Sequence, residues 1–101
     1  MLESIYKKAL LLYLANKGLN VQKEVGIGAS YLAEDLGIGF RIDLLIENKV
    51  IIEVKSVDEL APIHHKQLLS YLKLANLKLG ILVNFNSNNI AKSIIRVANK
   101  L

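Results

Sequence analysis

The strongest constraint on this chain is a pair of apolar runs, residues 42–46 and 50–54, separated by the polar triplet Glu47-Asn48-Lys49. β-Branched runs bounded by turn residues favour paired strands, so this stretch predicts a tight hairpin. Charged residues interrupt it at Asp43, Glu53 and Lys55. Side chains alternate faces along a strand, so Glu53 and Lys55 share a face and Val54 points the other way. A turn centred on Asn48 sets Asp43 opposite Glu53. Two carboxylates and one ammonium then converge on one side of a largely buried sheet, where charge is costly unless it is paired or holds a metal.

The flanking segments supply the layers around that hairpin. In residues 2–16, Leu2, Ile5, Tyr6, Ala9, Leu10 and Tyr13 recur at spacings of three and four, a helical pattern stopped by Lys17-Gly18. Glu3 lies in its first turn, where it favours the helix dipole and is spaced to pair with Lys7. Residues 19–25 alternate as a half-buried strand, and residues 29–39 read as a turn region. Neither Gly26/Gly28 nor Gly37/Gly39 leads into a phosphate-binding motif, since no helix start or lysine completes one. Pro62 opens a second helix ending at Asn76. Its core stripe is Leu68, Leu72 and Ala75, and a polar stripe of His64, Gln67 and Tyr71 is expected to face the strand bearing Lys55. Adjacent His64 and His65 point about 100° apart on a helix and read as helix-start surface residues rather than a metal site. Residues 78–85 form a buried strand, and residues 90–101 show helical spacing through Ile90, Ile94, Val97 and Leu101. The expected fold class is α/β, in the order α-β-β-β-α-β-α. A parallel crossover joins the hairpin to the fourth strand of a mixed sheet of about four strands flanked by helices.

Length and composition limit the function classes. The 101 residues suit one compact domain spanning residues 1–101, and 52% apolar content suffices for a core. With no cysteine there is no disulfide and no thiolate metal site, which fits a cytoplasmic protein. Lys7-Lys8 precede a short apolar run that reads as part of an amphipathic helix rather than a signal peptide. No run approaches the ~18 apolar residues of a membrane span, so no membrane partner is expected. The net charge of +4 permits a polyanionic partner.

The chemistry resides in the pattern Asp43…Glu53-Val54-Lys55. Hard divalent cations take oxygen ligands. Asp43 and Glu53 would supply two, and the carbonyl of Val54 a third. Lys55 could then orient a water or steady charge on a phosphate. A plainer reading of the same residues is a cross-strand ion pair that contributes little.

These residues belong to a longer series of blocks: Glu3-Ser4-Ile5-Tyr6, Arg41-Ile42-Asp43, Ile52-Glu53-Val54-Lys55, Pro62-Ile63-His64, Gln67-Leu68-Leu69-Ser70-Tyr71-Leu72, and Leu79 through Phe85. In this order they resemble the GxxExxY family, a branch of the PD-(D/E)xK nuclease superfamily. The resemblance implies a restriction-endonuclease-like core. It implies Asp43 and Glu53 as ligands of Mg²⁺ or Mn²⁺, Lys55 as the catalytic lysine, Glu3 as a third carboxylate and Gln67 as an accessory member of the catalytic set. The glycine of the family's name would fall before Met1, and the helix that usually precedes it is absent from the sequence. That departure predicts apolar surface on the first helix, and self-association through it or a sheet edge. The expected function is metal-dependent hydrolysis of phosphodiester bonds in nucleic acid, DNA rather than RNA. The alternative is a non-cleaving module of the same fold that binds nucleic acid or protein. Mutual repulsion further predicts that neutralising either Asp43 or Glu53 stabilises the metal-free fold.

Overall fold

The computed structural model describes residues 2–26, 41–85 and 93–100. Helix α1 (Leu2–Asn16) leads into strand β1 (Val21–Gly26). The hairpin follows as β2 (Arg41–Ile46) and β3 (Val50–Lys55), then helix α2 (Pro62–Ala75), β4 (Leu79–Asn84) and β5 (Ile94–Ala98). One five-stranded sheet runs in the order β1-β2-β3-β4-β5. Among the described strands only the β3–β4 pair is parallel, and α2 makes the crossover that a parallel pair requires. The expected α/β class with a mixed sheet is therefore present. Among the described residues, no helix is long and apolar enough to cross a membrane.

The hairpin turns where expected. Glu47 and Asn48 both have positive φ, 54° and 55°, and Lys49 N–H closes the turn on the Ile46 carbonyl at 2.9 Å. Left-handed central residues give a turn whose twist matches that of the flanking strands. At the end of α2, Asn76 takes the left-handed conformation, and Leu77 N–H caps the Leu72 carbonyl at 2.9 Å.

Each helix covers one face of the sheet. Tyr6, Leu10, Leu11 and Leu14 of α1 pack on Leu44, Ile46, Ile52, Val54 and Val83. Leu68, Tyr71 and Leu72 of α2 pack on Ile42, Ile51, Leu82 and Val97. Strict alternation would put Ile42 and Leu44 on one face, yet they belong to opposite cores. Strand β1 divides in the same way: Val25, opposite Ile42, joins the α2-side core, and Val21, opposite Ile46, joins the α1 side. The two strands thus change faces around Asp43 and Glu24, and Glu24 carries a positive φ of 53°.

The sequence pattern fails at the end of the chain. Residues 94–98 form an edge strand, not part of a final helix, pairing antiparallel with β4 from Val83↔Ile94 to Leu79↔Ala98. The spacing of Ile94 and Val97 imitates a helical stripe, but only Val97 is buried. Ile94, Ile95 and Val97 are β-branched, and an apolar β4 with an open edge gives them a ladder to complete. Residues 90–92 and 101 of the expected helix, and the expected turn region at 29–39, lie outside the described residues.

The crossover helix approaches β4 closely because Gly80 has no side chain. A Cβ there would lie 2.8 Å from a methyl carbon of Leu68, which is completely buried. Gly80→Ala should therefore cost about 1–3 kcal/mol of stability by overpacking. Leu68→Ala should cost less in the Gly80→Ala background than in wild type, since the cavity receives the added methyl. Urea denaturation of the two single variants and the double variant measures both effects.

Candidate active site

The backbone pairing of β2 with β3 runs from the turn to Leu44↔Ile52. At the next position side chains bridge the strands. Asp43 N–H donates to Glu53 Oε2 at 2.7 Å, and Val54 N–H donates to Asp43 Oδ2 at 2.8 Å. Each carboxylate thus crosses to an amide of the opposite strand and satisfies a donor that the ladder leaves unpaired. Glu53 is only 4% exposed. Asp43 is half-buried, and its Oδ1 lies 3.6 Å from Lys7 Nζ of α1, which also lies 3.5 Å from Glu24 Oε1.

Lys55 ends β3 on the α2 side. Its ammonium donates to Gln67 Oε1 at 3.2 Å, and Gln67 Nε2 donates to the Tyr71 hydroxyl at 3.0 Å. Gln67 and Tyr71 are four apart on α2, one turn of the same face. Tyr71 serves the core as well as the site, being buried against Ile51 and Leu82. The backbone of Lys55 is held from β4, because Phe85 N–H donates to its carbonyl at 3.0 Å. Just beyond, buried Asn84 accepts from Val57 N–H and donates to the Val57 carbonyl, at 3.1 and 2.8 Å.

Asp43, Glu53, Lys55, Gln67 and Tyr71 therefore come together, and Val54 contributes its amide while its side chain fills the α1-side core. Two expectations change. His64 does not join Gln67: its Nδ1 accepts from Ala61 N–H at 2.9 Å, capping the first turn of α2. Glu3 and Lys7 take separate partners rather than each other. The Glu3 carboxylate accepts from Ser56 N–H at 3.2 Å, one residue beyond Lys55. Among the described residues, no group of three acidic or histidine side chains is arranged to hold a metal. Sequence reading missed Lys7 and Glu24, whose partnership depends on how α1 lies over β1 and β2. It also passed over Asn84, although an amide ending an apolar strand was a visible signal.

The two carboxylates are not equivalent. Burial raises the pKa of Glu53 from 4.5 to about 7, and the nearby charge of Asp43 adds to this against the opposing pull of the Asp43 amide, Lys55 and Lys7. The Tyr71 phenol is also raised, by burial and then by the Glu53 charge. Asp43 has Lys7 and the Val54 amide as partners, so neutralising it removes favourable contacts. The stabilisation expected of either substitution is thus reserved for Glu53. Between pH 4.5 and 7 the folded state holds a proton on Glu53 that the unfolded chain releases, so wild type loses stability as pH rises through this window. Without metal, the stability advantage of Glu53→Gln over wild type should grow across it by roughly 3 kcal/mol and then level off. Parallel urea-denaturation curves at pH 5 and pH 8 would contradict this.

Comparison with known proteins gives this geometry a context. No curated protein sequence matches the chain. The solved structure of SSO0001 is 28% identical with a TM-score of 0.70, covering 99% of this chain and 51% of its own. An alkaline exonuclease, LHK-Exo from Laribacter hongkongensis, is 16% identical with a TM-score of 0.65, covering 96% and 55%, and shares the fold. The chain thus spans about half the length of each. A model of the PD-(D/E)XK nuclease superfamily matches residues 1–97. That match runs through both helices and into β5, and the chain belongs to the PD-(D/E)XK nuclease superfamily.

Proposed function

We propose that this domain is a metal-dependent nuclease of the GxxExxY branch, hydrolysing phosphodiester bonds in DNA. The observation that carries the reading is the reciprocally bonded Asp43–Glu53 pair beside a lysine held by Gln67. A carboxyl group raised to about 7 by burial beside a second carboxylate suits a cation that would discharge the pair. Asp43 and Glu53 would hold Mg²⁺ or Mn²⁺, with the Val54 carbonyl as a further oxygen donor, while Glu3 stays on the Ser56 amide rather than joining them as a third carboxylate. Such a cation supplies Lewis-acid polarisation of the phosphate and a more acidic water. Lys55 orients that water and steadies charge growing on the phosphoryl oxygens. Gln67 is a positioning residue, fixing the ammonium through its carbonyl while Tyr71 fixes its own orientation. The GxxExxY assignment is supported by Tyr6, which stacks on Phe85 at 4.5 Å, and by Glu3 at the Ser56 amide. Exposed Ile5 and Tyr13 on α1 support a homo-oligomer formed through that helix. A cysteine-free chain is in keeping with a cytoplasmic setting.

The test is cleavage of labelled single-stranded DNA, duplex DNA and RNA with Mg²⁺, with Mn²⁺ or with chelator. DNA should be cut only with metal. Lys55→Ala should lower the rate about 10²–10³-fold, as loss of a transition-state donor does. Gln67→Ala should lower it about 10–100-fold, in the range of lost supporting contacts. Either metal should raise the melting temperature of wild type but not of Glu53→Gln. Nucleic-acid binding without cleavage or metal stabilisation would instead identify a binding module.

A further inference from the structure

A groove of about 510 Å³ lies between α1 and β1, against the sheet edge next to the candidate active site. Its polar lining includes Lys7, Lys8 and Lys23 against one carboxylate, Glu24, and its apolar lining includes Leu11, Leu12 and Val21. The volume falls within the range of ligand sites, roughly 300–1,000 Å³. Leu12 is 53% exposed there, an apolar surface with a basic border. Lys7 belongs to both places: it lines the groove, and its Nζ lies 3.6 Å from Asp43 Oδ1. A ligand on the lysines would therefore extend directly to the carboxylate pair.

We propose that this groove binds a single-stranded segment of the nucleic acid and leads it to Asp43 and Glu53. Phosphates lie along Lys7, Lys8 and Lys23, and sugars and bases cover Leu11, Leu12 and Val21. The proposal rests on the nuclease reading for what happens at the far end of the groove, but binding stands apart from cleavage. Lysine ammonium groups suit phosphates, whose neutralisation releases counterions. The apolar half of the lining selects the single strand, because its unstacked bases and sugars can cover Leu12, whereas a duplex keeps its bases stacked inside.

Fluorescence anisotropy with an end-labelled twelve-nucleotide DNA strand, in chelator and ~0.1 M salt, tests the groove without cleavage. Lys8→Ala and Lys23→Ala should each weaken binding about 5-fold and lower the salt slope by about 0.7, the counterion release per single-strand contact. Leu12→Ser should weaken single-strand binding with the salt slope unchanged, and leave binding of the matching duplex unaltered. Lys49→Ala and Lys78→Ala, near the hairpin turn and the start of β4, should bind as wild type. Circular dichroism melts confirm that each variant is folded. Wild-type affinity in the groove variants would overturn the proposal. So would equal losses in the control variants, groove-dependent binding of duplex alone, or no binding by wild type. If wild type cleaves DNA while the groove variants bind normally, the groove fails and the nuclease reading survives. If the groove variants lose binding but no metal supports cleavage by wild type, the reverse holds.

Discussion

The exchange of hydrogen bonds between Asp43 and Glu53 determines how the two central strands meet. Where the backbone ladder stops, the carboxylates complete it with bonds of 2.7 and 2.8 Å to amides across the gap. Charge-assisted bonds of this kind are strong, and they are needed here because Glu53 is almost wholly removed from water. The Asp43 amide and the charges of Lys55 and Lys7 compensate its charge only in part, and burial still holds its pKa near 7. The fold thus retains a local electrostatic cost that a bound cation would relieve, whereas a simple surface ion pair would carry none.

Both helical layers converge on this point. Glu3, Tyr6 and Lys7 stand three and four apart on α1, so one face of its first turns reaches the Ser56 amide, the Phe85 ring and the Asp43 carboxylate. Further along, Leu10 and Leu14 fill the core. Helix α2 divides around its circumference instead, with Leu68 and Leu72 inside and Gln67 directed to Lys55. Tyr71 lies at the border, its ring in the core and its hydroxyl accepting from Gln67. Gln67 and Tyr71, which hold Lys55, are thus anchored to a helix that also packs the core.

The change of faces around Asp43 has the same origin. A regular β2 would direct Ile42 to the α1 side with Leu44. Instead Ile42 joins the α2-side core and Asp43 stands at the crossing, where its two oxygens reach Lys7 of α1 and Val54 of β3. Strand irregularities beside functional groups commonly re-aim a side chain in this way. Here the result is a carboxylate joined to both α1 and β3, next to the lysine-lined groove of α1 and β1.

Much of this was legible in the sequence because it depends on local periodicity. The polar triplet at 47–49 fixed the register that sets Asp43 against Glu53, the two-residue period put Lys55 with Glu53, and helical spacing separated Gln67 from Leu68. What local periodicity could not supply was decided by tertiary structure. Ile94 and Val97 have helical spacing but form a strand, because β4 offers an open ladder, and a residue's neighbours in space outweigh its neighbours in sequence. Lys7 was spaced for Glu3, yet how α1 lies over the sheet directs it to Asp43 and Glu24. His64 has the spacing of Gln67, but the free Ala61 amide at the helix start lies closer to hand. The sequence alone singled out Asp43, Glu53, Lys55 and Gln67 as one set. Only the tertiary structure decided which charges are buried and which partners hold them, because burial and pairing depend on contacts between segments far apart along the chain.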